Sequence, residues 1–335
     1  MCKPLAELEA EANMCEAAGL DGVWWPDYQG PTDPAKPCPE IYVTLTALAR
    51  ATRRIFIGSL VTDVLKRHPM VTAHAFATLS HVAPGRVILG LGTGGGTSHF
   101  PFGISLDAPA SRLREGITVI RRLWAATQAK PADYEGKYFR LRKAALPMVP
   151  REPIPIYMAA TGPRMLALAG SEADGWLPEA HTPETYRQAL ARVEAVRRDR
   201  RESAFEPCLA LLFFPFELHG EERQQVLEAA KSLLSFYPDT VRRQLPAVVP
   251  EGIRSQDLAA HPAVWQRIQE AIPDELAART ALIGPVDVIT AQLRAYAETG
   301  CRHVVLEPYW GMPAKQIREA IAAARTIRSA LHAMA

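Results

Sequence analysis

The stretch GRVILGLGTGGGTSHF, residues Gly85–Phe100, joins a β-branched apolar run to a dense cluster of glycines. Gly90, Gly92 and Gly95 have the G-x-G-x-x-G spacing of a dinucleotide-binding turn, which also requires a helix that begins within the glycines. Here the segment TSHFPFGISLDAPAS intervenes before helical periodicity resumes near Ser111. The stretch therefore predicts a strand whose carboxyl end lets a flat ligand approach the backbone, rather than a Rossmann phosphate loop. A merely flexible loop is the alternative.

Short apolar runs alternate with longer helical patterns along the whole chain, which is typical of repeated β-α units and a parallel sheet. Gly19 and Gly300 each end a helical pattern two or three residues before an apolar run, as expected where a helix returns to the bottom of a barrel. We therefore expect one (β/α)8 barrel domain over residues 1–335. Seven strands are predicted, at Asp21–Pro26, Arg54–Val61, Arg86–Gly92, Ile154–Ala160, Asp174–Pro178, Cys208–Phe214 and His303–Pro308.

An eight-stranded barrel needs one strand more than these seven. The helical pattern Leu5–Ala18 precedes the first of them, so we expect the missing strand to be the first of the barrel and to lie upstream of Met1. Its replacement by another segment is the alternative. The long helical region 215–282 is predicted to be an insertion over the barrel mouth that shapes substrate access.

Composition and charge exclude several classes of protein. The net charge of +2 is spread along the chain, and the basic run RRDRR at 197–201 reads as a solvated helix end rather than a nucleic-acid patch. Five widely spaced cysteines without a C-x-x-C pair argue against a disulfide framework and a zinc site. Neither a signal peptide nor an apolar run of 18 residues is present. We expect a cytoplasmic enzyme without a metal, nucleic-acid or membrane partner.

Polar residues gather where the predicted strands end, and in a (β/α)8 barrel these carboxyl ends carry the chemistry. The segment AATGPR, Ala159–Arg164, places small residues before a helix that begins at Pro163. Exposed N–H groups and the positive end of the helix suit a phosphate there. A tight turn that needs Gly162 for its backbone angle is the alternative.

Six ordered segments carry a family resemblance: GLDGVWWPDY, RIFIGSLVTD, RHPMVTAHAFATLSHVAPGRVILGLGTG, RLREGITVIRRLW, YFRLRKAAL and IPIYMAATGPRMLALAGSEADGWLP. Together they resemble the luciferase-like monooxygenase superfamily, within it the branch that uses the deazaflavin coenzyme F420. The similarity covers Leu5–Pro178 and, more weakly, Gly284–Pro308. It implies a (β/α)8 barrel that holds the deazaflavin ring in its mouth. It also implies that the protein acts on a small-molecule substrate and forms a homodimer.

The resemblance also implies which residues bind the cofactor. Asp27 is expected near the ring, and the Ser59–Leu60 bond is expected to be a non-prolyl cis peptide that supports the ring's back face. The segment Ala160–Gly162 is expected to hold the phosphate. The complete implied set is Asp27, Ser59, Leu60, Thr62, Gly92, Gly94, Ala160, Thr161 and Gly162.

Two departures from the F420-dependent relatives concern the proton donor. Tyr28 stands where many relatives carry His, and Gly95 stands where they carry Glu. Tyr28 and His99 are therefore our catalytic candidates, because both belong to loops at the barrel mouth. His181 and Glu307 are weaker candidates.

The resulting hypothesis is an oxidoreductase that transfers a hydride between coenzyme F420 and a small-molecule carbonyl, imine or alcohol. An FMN-dependent monooxygenase on the same fold is the first alternative. A non-catalytic flavin- or deazaflavin-binding protein is the second, because the usual glutamate is absent.

Overall fold

The computed structural model describes residues 3–29, 38–197, 204–254, 260–308 and 312–332, without the side chains of Gly96 and Thr97. The strands are β1 (Gly22–Trp25), β2 (Phe56–Ser59), β3 (Thr62–Asp63), β4 (Val87–Gly92), β5 (Ala132–Glu135), β6 (Arg140–Ala144), β7 (Ile156–Met158), β8 (Gly175–Trp176), β9 (Glu206–Phe214), β10 (Ala281–Ile283) and β11 (His303–Glu307). The helices are α1 (Leu5–Ala17), α2 (Ile41–Ala51), α3 (Pro69–Val82), α4 (Gly96–His99), α5 (Pro109–Ala125), α6 (Pro163–Glu172), α7 (Pro183–Val196), α8 (Gly220–Ser235), α9 (Pro238–Gln244), α10 (Pro262–Ala271), α11 (Asp274–Arg279), α12 (Val286–Ala297) and α13 (Ala314–His332).

Nine of the strands form one parallel sheet, in the order β1-β2-β4-β7-β8-β9-β10, with β11 paired to β9 and β3 paired to β4. Every residue of β4 is buried, as expected for a strand that other elements cover on both faces. Helices connect the parallel strands, so the β-α architecture expected from the sequence is present. All strand carboxyl ends consequently lie at one edge of the sheet.

All seven predicted strands occur at their expected places, but four short strands were not predicted. Strands β5 and β6 form a separate antiparallel pair, and β3 contains only two residues. Strand β10 begins at Ala281, inside the region 215–282 that was predicted to be helical. The predicted boundary of that helical region is therefore wrong. The reason is physical: a buried run of three apolar residues is too short to show a strand periodicity.

The helices bury regularly spaced apolar residues against the sheet. In α5, Leu113, Ile117 and Ile120 are fully buried, and their spacing places them on one face of the helix. Helix α7 begins with Pro183 at its first position, after a reciprocal capping box between Thr182 and Thr185. These local signals explain why the connections between strands are helical.

A seam separates strands β1 and β11. Strand β1 pairs with β2 and β11 pairs with β9, and among the described residues neither has a second partner. A cavity of about 980 Å³ lies in the seam, between both strands and helices α1 and α13. Trp24 and His303 meet across it with ring centroids 5.6 Å apart.

In the part of the chain that the structure describes, no helix has both the length and the apolar character needed to cross a membrane.

Candidate active site

A cavity of about 220 Å³ lies at the carboxyl ends of the strands. Its walls include Asp27 after β1, Gly92–Gly95 after β4, Ala159–Thr161 after β7 and Leu177–Glu179 after β8. Phe236 and Tyr237, from the segment between α8 and α9, close it from above. The seam cavity is larger, but most of the residues expected at the site gather around this smaller one, so it is the candidate active site.

The chain turns sharply after β2, where the cofactor ring was expected to rest. The cis peptide joins Leu60 and Val61, so its predicted position at Ser59–Leu60 is wrong by one residue. The reason is that the sheet register continues through Ser59, and Leu60 N still donates to Trp25 O at 2.9 Å. Leu60 and Val61 line the cavity, whereas Ser59 is fully buried below it.

The glycines of β4 serve two different purposes. Gly90 N donates to Ser59 Oγ at 2.8 Å, and Ser59 Oγ donates to Gly90 O at 2.9 Å. A Cβ atom at Gly90 would collide with the carbonyl oxygen of Ser59, so this glycine is required by the neighbouring strand rather than by a ligand. Residues Gly92–Gly95 line the cavity. The expected close approach of a ligand to the backbone therefore concerns these residues and not Gly90.

His99 lies beneath this glycine loop. Its ring is fully buried, with Nδ1 2.7 Å from Gly95 O and Nε2 3.3 Å from Asp63 Oδ2. Gly94 has φ +70°, and an added Cβ would collide with the His99 ring. Ser98 lines the cavity in place of His99. The structure therefore places His99 as a support of the loop, and its proton-transfer role stays a prediction.

Asp27 is a buried carboxylate held by cations. Thr62 Oγ1 and Arg67 Nη1 both donate to its Oδ2 at 2.6 Å, and Lys66 Nζ lies 3.4 Å from the same atom. Burial alone would raise the pKa of Asp27, but the charges of Lys66 and Arg67 and the hydrogen bonds outweigh it and lower the pKa. Asp27 is thus ionised at the cavity wall and can accept a hydrogen bond.

Lys66 joins Asp27 to a second buried carboxylate. Its Nζ lies 3.0 Å from Asp63 Oδ2, while the Leu65 and Lys66 amides donate to Asp63 Oδ1 at 2.8 Å. Burial opposes ionisation of Asp63, yet the interactions with His99 and Lys66 hold its pKa well below the ordinary value. Within the described ranges, no group of three or more His, Cys, Asp or Glu side chains is arranged to hold a metal ion.

Two of the other candidate proton donors lie outside the cavity wall. Tyr28 is half-buried and is not among the described residues that line the cavity; residues 30–37, which follow it closely, lie outside the description. His181 is fully buried against Trp176, and its Nδ1 lies 3.2 Å from Thr185 Oγ1. Burial, with the nearby charge of Arg243, lowers the pKa of His181 to about 3. A neutral His181 in that position serves packing.

The loop before α6 forms a cradle with donors of its own. Trp176 Nε1 donates to Ala160 O at 2.9 Å and anchors the loop. Arg243 Nη2 donates to Thr161 O at 2.5 Å, while Arg243 Nη1 is buried without a hydrogen-bond partner among the described residues. A Cβ at Gly162 would lie 3.0 Å from Asp239 Oδ2. A cationic donor without a partner, beside the start of a helix, fits an anionic group such as a phosphate.

Sequence reasoning missed Arg243, and it named Glu307 as a weaker candidate without its neighbour Glu179. Tyr237 donates its hydroxyl hydrogen to Glu179 Oε2, and Glu179 adjoins Glu307. Burial raises the pKa of both carboxyl groups. Glu179 carried a usable signal, since it directly follows a predicted strand; Arg243 and Tyr237 carried none, because they lie in the helical insertion.

Comparisons with known proteins identify the family. The family model of the luciferase-like monooxygenases matches residues 3–303. The chain is 28% identical over 308 residues to 5,10-methylenetetrahydromethanopterin reductase of Archaeoglobus fulgidus, covering 89% of this chain and 88% of that protein. It is 31% identical over 314 residues to F420-dependent glucose-6-phosphate dehydrogenase of Beutenbergia cavernae, covering 89% and 86%.

The fold has close solved counterparts as well. An F420-dependent secondary alcohol dehydrogenase in complex with an F420-acetone adduct superposes with a TM-score of 0.75 at 21% identity, over 96% of each chain. The chain therefore belongs to the luciferase-like monooxygenase family, and the resemblance inferred from its six segments is confirmed.

Proposed function

We propose that this protein is an oxidoreductase that transfers a hydride between coenzyme F420 and a small-molecule carbonyl, imine or alcohol. The observation that carries the proposal is the anion cradle at Thr161, where Arg243 Nη1 is buried without a partner among the described residues. Thr161 and ionised Asp27 both line the cavity. The F420-dependent relatives named above support the choice of cofactor.

Each wall of the cavity has a distinct task in this proposal. The bound deazaflavin supplies the hydride chemistry. Ala160–Gly162 and Arg243 would hold its phosphate, the Leu60–Val61 turn and Gly92–Gly95 would flank its ring, and Asp27 would be available as a hydrogen-bond acceptor. Phe236 covers the cavity and excludes water from the reacting atoms.

Titration of the ligand-free protein with oxidised F420 and with FMN, followed by fluorescence, tests the proposal. We expect saturable F420 binding and much weaker FMN binding. Tight FMN binding without F420 binding would instead favour the monooxygenase. F420 that binds but shows no absorbance change with alcohols, sugar phosphates or, when reduced, ketones would favour a non-catalytic binding protein.

We also infer that the sheet is an eight-stranded barrel that lacks one strand, at the seam between β1 and β11. The seven strands β1, β2, β4, β7, β8, β9 and β11 and the cavity of about 980 Å³ between the first and the last of them support this inference. Hydrogen exchange measures it: amides of β1 and β11 that face the seam should exchange much faster than those of β4. Equal protection would contradict an open seam.

The homodimer and the cytoplasmic location stay predictions. Analytical ultracentrifugation at several protein concentrations checks the first, and fractionation of the producing cells checks the second. A sedimentation coefficient of a monomer at all concentrations would exclude the dimer.

A further inference from the structure

The carboxyl groups of Glu179 and Glu307 meet because their strands share a neighbour. Glu179 follows β8 and makes a parallel bridge with Ala210 of β9. Glu307 is the last residue of β11 and is the register partner of Leu212, also in β9. Both residues therefore lie beside the carboxyl-terminal half of β9, at neighbouring levels of the sheet.

The two carboxyl groups differ in their access to the cavity. Glu179 lines it, and Tyr237 fixes its orientation by donating a hydrogen bond to Oε2. Glu307 is 7% exposed, and its Oε1 has no hydrogen-bond partner in the described part of the chain. Glu179 thus borders the candidate active site, while Glu307 lies outside its wall and borders the seam cavity.

The surroundings favour a shared proton. Burial raises the pKa of Glu179, and the hydrogen bonds of Tyr237 and Glu307 offset this only in part. Burial, and then the charge of Glu179, raises the pKa of Glu307 well above its ordinary value. The other titratable side chains at the cavity are Tyr237, whose pKa burial raises, and Asp27 and Lys66, which pair with each other. Two adjacent buried carboxyl groups cannot both ionise easily, which favours one proton shared between them.

We propose that Glu179 is the catalytic acid and base of this enzyme, and that Glu307 is the positioning residue that shares its proton. The proposal rests on the proposed hydride transfer and supplies the proton donor that Gly95 cannot provide. It assigns the role to Glu179, which follows β8, and Glu307, which ends β11.

Reduction of a carbonyl substrate requires one hydride and one proton. The substrate carbonyl carbon forms a C–H bond with the hydride supplied by the reduced deazaflavin, which is oxidised. The C=O π pair moves to the substrate oxygen, which takes the proton from Glu179 as the carboxyl O–H bond breaks. The Glu179 carboxylate then regains a proton from solvent through Glu307. Oxidation of an alcohol runs the same transfers in reverse.

Infrared spectroscopy of the ligand-free protein tests the shared proton without any turnover. We expect a protonated-carboxyl C=O band at pH 7 that disappears in the double variant Glu179→Gln/Glu307→Gln. Glu270→Gln, an exposed carboxyl on α10, is the matched control and should keep the band. A wild-type protein without the band, or a band that survives in the double variant, would overturn the proposal.

Hydride transfer tests the catalytic role. Oxidised F420 with 2-propanol or glucose 6-phosphate, and reduced F420 with acetone, are the probes, followed by stopped-flow absorbance. Glu179→Gln should slow hydride transfer about 100- to 1000-fold, as for loss of a general acid or base, while F420 affinity stays within twofold. Glu270→Gln should leave both unchanged.

The pH profile separates proton transfer from a structural effect. In the oxidation direction the rate should fall as pH falls through the pKa of the pair, because the acceptor must be a carboxylate. Tyr237→Phe removes a hydrogen bond that lowers this pKa, so that limb should move to higher pH. A Glu179→Gln variant that retains its rate within threefold refutes the proposal. Absence of F420 binding refutes the proposed function instead, while the infrared band still decides whether the pair shares a proton.

Discussion

Two glycines with nearly the same backbone angle show how closely the loop under the cavity is packed. Gly94 has φ +70° and Gly103 has φ +65°, but an added Cβ meets the His99 ring and Asp63 Oδ2 at the first and nothing within 4 Å at the second. We expect Gly103→Ala to lower the free energy of unfolding by about 1–2 kcal/mol through the left-handed angle alone. Gly94→Ala should cost ~1–3 kcal/mol more through overpacking. Urea unfolding of both variants measures this, and equal losses would contradict the packing.

Arg243 should contribute mainly to binding of the phosphate. Arg243→Gln removes a charged donor at the Thr161 cradle, and a hydrogen bond to a charged group contributes about 1.5–3 kcal/mol. F420 affinity should therefore fall about 10- to 100-fold. The affinity for the deazariboflavin fragment, which lacks the phosphate, should change little. Fluorescence titration gives both values, with Arg187→Gln on the exposed face of α7 as the control.

A uniform loss for F420 and for the fragment would place the Arg243 effect on the protein fold rather than on the phosphate. A change in neither affinity would move the anion site away from Thr161.

The sequence located residues of the site where they follow strands and missed those on helices. Asp27 and the Ala160–Gly162 loop could be found because the carboxyl ends of parallel strands meet at one edge. Arg243 reaches Thr161 from 82 residues away, through a helix whose position depends on tertiary packing. No local pattern encodes such a contact. The cis peptide was misplaced by one residue because the register of β2 with β1 decides where the turn begins.

Helix α13 lies along the seam, and its small residues leave part of the seam cavity unfilled. Ala320 is 4% exposed and faces the cavity of about 980 Å³. Ala320→Leu should therefore stabilise the protein by about 0.5–2 kcal/mol, as cavity-filling changes do. Ala322→Leu on the exposed side of the same helix is the control and should have little effect. Thermal unfolding compares them, and a lower midpoint for Ala320→Leu would show that the cavity cannot accept a larger side chain.

At the scale of elements, long patterns were predictable and short ones were not. The seven strands were recognisable from β-branched runs bounded by turn residues. Strand β10 has three residues and β3 has two, so their pairing is set by the strands beside them rather than by their own sequence. Strands β5 and β6 were not predicted for another reason. Charged side chains occupy most of their positions, so the sequence shows no apolar strand pattern there.

For the whole molecule, the buried carboxyl groups make stability depend on pH with opposite signs. The folded pKa of Glu307 is raised above its ordinary value of 4.5. As pH rises above 4.5, Glu307 ionises in the unfolded chain before it does so in the folded protein, and this lowers the free energy of unfolding. Glu307→Gln removes this penalty. Its stability relative to the wild type should be unchanged near pH 4 and should increase by about 1.4 kcal/mol per pH unit towards the folded pKa. Urea unfolding between pH 4 and 8, with Glu270→Gln as the control, measures the slope.

Asp63 provides the comparison of opposite sign. Its folded pKa is lowered from 3.8, so it stabilises the protein above that value, and the contribution is lost as pH falls through the folded pKa. Asp63→Asn should therefore be less stable than the wild type at pH 7, with a difference that shrinks in acid. A Glu307→Gln difference that is constant from pH 4 to 8, or an Asp63→Asn difference that is constant as pH falls below 3.8, would contradict the assigned charge states.

Helix α9 connects the two halves of the candidate site. Arg243, in this seven-residue helix, donates to Thr161, and Tyr237, the residue immediately before the helix, donates to the carboxyl group of Glu179. An anion that takes up the Arg243 donor fixes the same helix that aligns the proton donor. We therefore expect an ordered cycle in which the coenzyme binds first and its phosphate steadies the helix that aligns Glu179 for the substrate.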